Sequence, residues 1–101
     1  MKFTVAALYY FTRIKDPVAK RYPLLSLCRS QGVRGTVLLA TEGINGTIAG
    51  TPEGIASVID HLEGWPEVDN LEVKYSFSNE NSFKRLKVKI KNEIVTIRKP
   101  K

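Results

Sequence analysis

Thr36-Val37-Leu38-Leu39-Ala40-Thr41-Glu42-Gly43-Ile44-Asn45-Gly46-Thr47-Ile48-Ala49-Gly50 holds two β-rich runs separated by a dense cluster of turn residues. Val33 to Thr41 carries the first run, Glu42 to Gly46 the turn signal, and Thr47-Ile48-Ala49 resumes strand character. A β-hairpin at the middle of the chain follows. Asn45-Gly46-Thr47, formally a glycosylation sequon, falls in its turn. Each arm of the hairpin meets a helix. After it, Thr51-Pro52-Glu53 sets a capping threonine before a proline at the first helical position, where a missing N–H costs nothing. Ile55, Val58, Ile59 and Leu62 recur at i, i+3, i+4 and i+7; Gly64 and Pro66 end the helix, and Trp65 is placed to pack under the next loop. Before the hairpin, Asp16-Pro17 repeats the cap-and-proline pattern. Val18, Tyr22, Leu25 and Cys28 or Arg29 follow roughly helical spacing, Leu24 and Leu27 widen the apolar face, and Gly32 closes the helix as a left-handed cap. Pro23 lacks the backbone donor and predicts a kink or a restart.

Strands flank this centre. Phe3, Val5, Ala7, Tyr9 and Phe11 point one way and Thr4, Ala6, Leu8, Tyr10 and Thr12 the other, a pattern of a central strand with both faces in use. Leu71, Val73, Tyr75 and Phe77 alternate with Glu72, Lys74 and Ser76. A further strand sets Leu86, Val88 and Ile90 inward and Arg85, Lys87, Lys89 and Lys91 outward, and Ile94, Val95 and Ile97 continue it or begin a successor. The order β-α-β-β-α-β with an added C-terminal strand is the ferredoxin-like, α+β plan: an antiparallel sheet with two helices on one face. One hundred and one residues make a single domain, residues 1–101, with one core.

Composition narrows the partners. Hydrophobic content of 43% and charged content of 26% belong to an ordinary globular protein. No apolar run is long enough to span a membrane, and the opening MKFTVAALYYFTR reads as a strand rather than a signal peptide. A single cysteine excludes an internal disulfide and suits the reducing cytoplasm. The net charge of +6 makes polyanions the natural candidates for a partner.

Catalytic and metal motifs are lacking. Cys28-Arg29-Ser30-Gln31-Gly32-Val33-Arg34 fits the C-x5-R spacing of a phosphate-cradling thiolate loop, but Cys28 ends a helix and a strand follows. The negative end of a helix disfavours a thiolate, so Cys28 reads as core. One cysteine and one histidine, His61, which reads as solvated beside the apolar stripe, make no zinc site. With no Walker loop and no G-x-G-x-x-G, no cofactor is implied. The segment Thr12 to Asp16 has no glycine to build a phosphate nest. Tyr10 on the first strand is a candidate for base stacking on an open sheet, but Asn45–Gly50, where the third strand should carry aromatics, has none, which argues against such stacking. The basic strand remains: Lys84, Arg85, Lys87, Lys89 and Lys91 suit a phosphate backbone, or equally protect a sheet edge from aggregation.

Thr36 to Gly50 resembles the LLAxEGINGTxAG signature of the rhodanese-related tRNA uridine hydroxylases. Phe83, Arg85-Leu86-Lys87-Val88-Lys89 and Glu93-Ile94-Val95-Thr96 are similar to the F-x-R-L-K-V-K…EIVT segment that follows it there. The resemblance extends over nearly the whole chain and implies an acylphosphatase-like N-terminal domain of a longer protein. In that family a rhodanese domain follows, and the oxygen-dependent 5-hydroxylation of a wobble uridine in tRNA belongs to the whole enzyme. The rhodanese cysteine has no counterpart among these residues. The resemblance implies a non-catalytic module whose partners are tRNA and the rhodanese domain of the same parent chain. The contact candidates are Lys84, Arg85, Lys87, Lys89 and Lys91 for RNA, and Glu42, Gly43, Asn45 and Gly46 of the signature hairpin for RNA or for the neighbouring domain. Two alternatives stand beside it: a purely structural docking domain that touches no RNA, and a weak acyl-phosphate hydrolase using Arg13 and Asn45.

Overall fold

A computed structural model describes residues 2–80 and 83–90. Seven elements follow in order: β1 (Phe3–Phe11), α1 (Pro17–Ser30), β2 (Arg34–Ala40), β3 (Gly43–Gly50), α2 (Pro52–Glu63), β4 (Glu72–Ser78) and β5 (Leu86–Ile90). The sheet order is β4-β1-β3-β2-β5. β1 pairs antiparallel with β3 and β4, and β2 pairs antiparallel with β3. The ferredoxin-like plan holds, and the added strand β5 joins parallel to β2, so the sheet is mixed rather than wholly antiparallel. Lys91 and the strand expected over Ile94–Ile97 lie outside the described residues.

Both helices lie on one face. Ala6 and Leu8 of β1, Ile44 and Ile48 of β3, Val37 and Leu39 of β2 and Val88 of β5 meet Leu24, Leu25 and Cys28 of α1 and Ile55, Val58, Ile59 and Leu62 of α2 in one core cluster. The capping grammar works as the sequence implies. Asp16 accepts from the Ala19 N–H at 3.3 Å and Thr51 Oγ1 from the Gly54 N–H at 3.1 Å. Gly32, at φ 69°, completes a Schellman closure in which the Val33 N–H reaches Cys28 O at 2.9 Å.

Four local expectations change. The turn is only Thr41-Glu42: Ala40 pairs with Gly43, and Gly43 to Gly46 are already strand. The glycines there serve close approach rather than a turn. A Cβ at Gly43 would meet the Tyr10 carbonyl oxygen at 2.1 Å, and one at Gly46 the Thr36 carbonyl oxygen at 2.2 Å. α1 runs unbroken through Pro23, and its buried face is Pro17, Leu24, Leu25 and Cys28, leaving Val18 and Tyr22 exposed. Tyr75 and Phe77 share a face with Ala6 and Thr4, their partners on β1, yet stay exposed on the end strand, beyond the elements α2 packs on. His61 is half-buried, its Nε2 enclosed without a hydrogen-bond partner and its ring edge-on to Trp65 at 5.9 Å.

Candidate nucleic-acid interface

The register defines what the uncovered face displays, because residues paired across strands share a face. One row runs Glu72, Tyr9, Asn45, Leu38, Lys89; the next runs Lys74, Ala7, Thr47, Thr36, Lys87. Beside the second lie Ser76, Val5, Ala49 and Arg34, and Phe11 stands beyond Tyr9 at the end of β1. Lys74, Lys87, Lys89 and Arg34 are exposed, as are Lys84 and Arg85 on the approach to β5. Of the five expected cations, four are thus placed at the surface, Lys87 and Lys89 directly on the open face; Lys91 lies outside the described residues.

Tyr10, the residue weighed and set aside for base stacking, is not on that face. Tyr10 points to the helix side, where its hydroxyl accepts from the Asp69 and Asn70 N–H groups at 2.9 and 3.4 Å. Tyr9 and Phe11 occupy the open face instead, 52% and 72% exposed, with ring centroids 5.0 Å apart and planes at 71°. The alternation along β1 already separated them from Tyr10. They border a groove of about 250 Å³ whose other walls include Leu38, Glu42, Gly43 and Asn45. The four signature residues divide here: Gly43 and Gly46 are required by the neighbouring backbone, whereas Glu42 and Asn45 have exposed side chains.

Elsewhere the groups are structural. The loop between β1 and α1 is tied down through its amides: Thr12 N donates to Glu42 O, Ile14 N to Thr41 O, and Lys15 N to Glu67 Oε2 at 2.7 Å. Lys20 Nζ adds a 3.1 Å ion pair to the same carboxylate oxygen, donates to Lys15 O, and lies 5.6 Å from the Trp65 ring centroid. Hydrogen bonding, first from the Lys15 N–H, holds the Glu67 carboxyl below its ordinary 4.5. With these amides committed, the loop presents no nest of free N–H groups to a phosphate. Cys28 is fully enclosed, and burial pushes its thiol up to about 11, far from a thiolate nucleophile. Among the described residues no group of three or more His, Cys, Asp or Glu side chains is placed to hold a metal ion, and no helix is long and apolar enough to cross a membrane.

Residues 3–94 match the UPF0176 acylphosphatase-like domain. The chain belongs to that family. A tRNA uridine(34) hydroxylase of Roseobacter denitrificans is 51% identical over 98 residues, which are 97% of this chain and 33% of the relative. One from Ruegeria pomeroyi is 52% identical over the same shares. The chain therefore spans about a third of the length of the curated relatives it matches. Among solved structures, the acylphosphatase from Bacillus subtilis superposes with a TM-score of 0.62 at 17% identity, covering 87% of this chain and 98% of that one. That likeness is one of fold.

Proposed function

We propose that this UPF0176 domain is a non-catalytic, cytoplasmic module of a tRNA-modifying enzyme, and that it helps hold tRNA against the catalytic part of its parent. The relatives are named as tRNA uridine(34) hydroxylases, and this chain corresponds to a third of their length. The observation that carries the reading is the placement of Lys87 and Lys89 in water on the face that neither helix covers, with Lys84 and Arg85 exposed beside them. Lysines two residues apart along a strand stand roughly 6.6 Å apart, a spacing that can follow a phosphate backbone. The rhodanese domain implied by the family signature would supply the chemistry. The tied-down loop after β1 and the buried Cys28 weigh against a hydrolase or a thiol enzyme in this domain.

The test is a fluorescence-anisotropy titration of the chain with unmodified tRNA at two salt concentrations. Lys87→Glu with Lys89→Glu is expected to weaken binding at least about tenfold and to flatten its salt dependence, since each lost phosphate contact removes roughly 0.7–0.9 from the log–log slope. Unchanged affinity and slope would take RNA off this face. The role would then pass to docking on the rhodanese domain, with Glu42 and Asn45 as the exposed contacts.

A further inference from the structure

Resting on that reading of β5, we infer that the open face of the sheet is a platform for single-stranded RNA. An unpaired base stacks at Tyr9 and Phe11 while the backbone crosses the sheet toward Lys87 and Lys89. The two rings contribute nothing to the buried core, which lies on the other side of β1. They touch edge to face, so ring surface is left free for a third aromatic system. Asn45 stands directly opposite Tyr9 on β3, exposed, and its carboxamide makes no hydrogen bond among the described residues. A carboxamide offers both a donor and an acceptor to a base edge. The groove these residues border, about 250 Å³, falls below the roughly 300–1,000 Å³ of small-molecule sites and suits one flat ring.

Cations outnumber carboxylates on the strands of this face, where Glu72 lies beside Tyr9. Lys74, Arg34, Lys87 and Lys89 occupy the rest of the face. Between them Ala7, Thr36 and Thr47, each half-buried, form a low floor. From β1 to β5 is three strand spacings, about 14 Å, a span that a few nucleotides cover. Bases in a duplex are stacked on one another and offer no face to Tyr9 or Phe11, so the platform discriminates by strandedness. A protein partner would also cover two exposed rings, but four exposed cations spread over the same face fit a polyanion with a flat, neutral base.

The experiment compares a fluorescein-labelled oligouridylate of about ten nucleotides with an RNA duplex of equal charge, both titrated with the chain at low salt. Tyr9→Ala with Phe11→Ala is expected to weaken single-strand binding about tenfold and duplex binding less than about twofold. Equal losses on both ligands, or none on the single strand, overturn the proposal. Lys87→Glu with Lys89→Glu separates the two readings. If it abolishes binding while the aromatic variant binds as the parent does, stacking is refuted and electrostatic holding survives. If the unaltered chain binds neither RNA, both fall. Matching far-UV circular dichroism and thermal melts identify any loss that comes from unfolding.

Discussion

On β1, Leu8 and Phe11 are three residues apart and face opposite ways: Leu8 is enclosed between the sheet and the helices, whereas Phe11 is 72% exposed. The same division runs across the whole sheet. On the helix side every buried side chain is accounted for by removal from water, and Ile44, Ile48, Val37, Leu39 and Val88 make one continuous layer under α1 and α2. On the other side stand two aromatic rings, a carboxamide and four exposed cations, none of them part of the core cluster among the described residues. The RNA contact proposed above rests on these side chains, which the core does not need.

The largest test of that contrast is a pair of truncations on one strand. Leu8→Ala is expected to cost about 2–5 kcal/mol, because the cavity it leaves is closed in by packed neighbours. Phe11→Ala should cost about 1 kcal/mol or less, mostly its contact with Tyr9. Urea unfolding of both variants measures the difference; equal costs would mean that the open face is as structural as the closed one. Next in size, Gly46→Ala sets a Cβ against the β2 backbone and should destabilise by about 1–3 kcal/mol in the same assay. A neutral result would free the signature glycine from its packing role.

A smaller, pH-dependent effect is expected at the rim of the closed face. Folding lowers the Glu67 carboxyl below its usual 4.5, so its contribution is fully present above that value and is lost as pH falls through the lower folded-state value. The unaltered chain should therefore exceed Glu67→Gln in stability at pH 7, and the gap should close as the pH is taken well below 4.5. Thermal melts across that range measure it. A gap that persists in acid would show that Glu67 acts through shape rather than charge.

How much of this was legible depended on whether a local rule or a neighbour decided. The caps at Asp16 and Thr51, the i, i+3, i+4, i+7 stripe of α2 and the burial of Trp65 and Cys28 were readable because capping and amphipathic periodicity act within a few residues. The turn was misplaced because Gly43 and Gly46 look like turn formers, while their true demand comes from the β1 and β2 backbones lying against them. Val18 and Tyr22 fit the period of α1 equally well, and only its seating on β2 and β5 left them in water. Tyr9 and Phe11 were visible as an alternating pair opposite Tyr10, but nothing along the chain says which face the helices cover.

The sequence by itself determined the order of elements, their caps, the ferredoxin-like plan, the family resemblance and the basic stripe that ends in β5. Each is written in local spacing or in a contiguous motif. The tertiary structure alone decided that β5 lies parallel to β2, that the loop after β1 is closed by Glu67, and that Tyr9, Asn45, Lys74 and Lys87 share one uncovered surface. Those facts depend on register between strands far apart in the chain. A one-residue slip in that register would turn every side chain to the opposite face, and no local pattern records it.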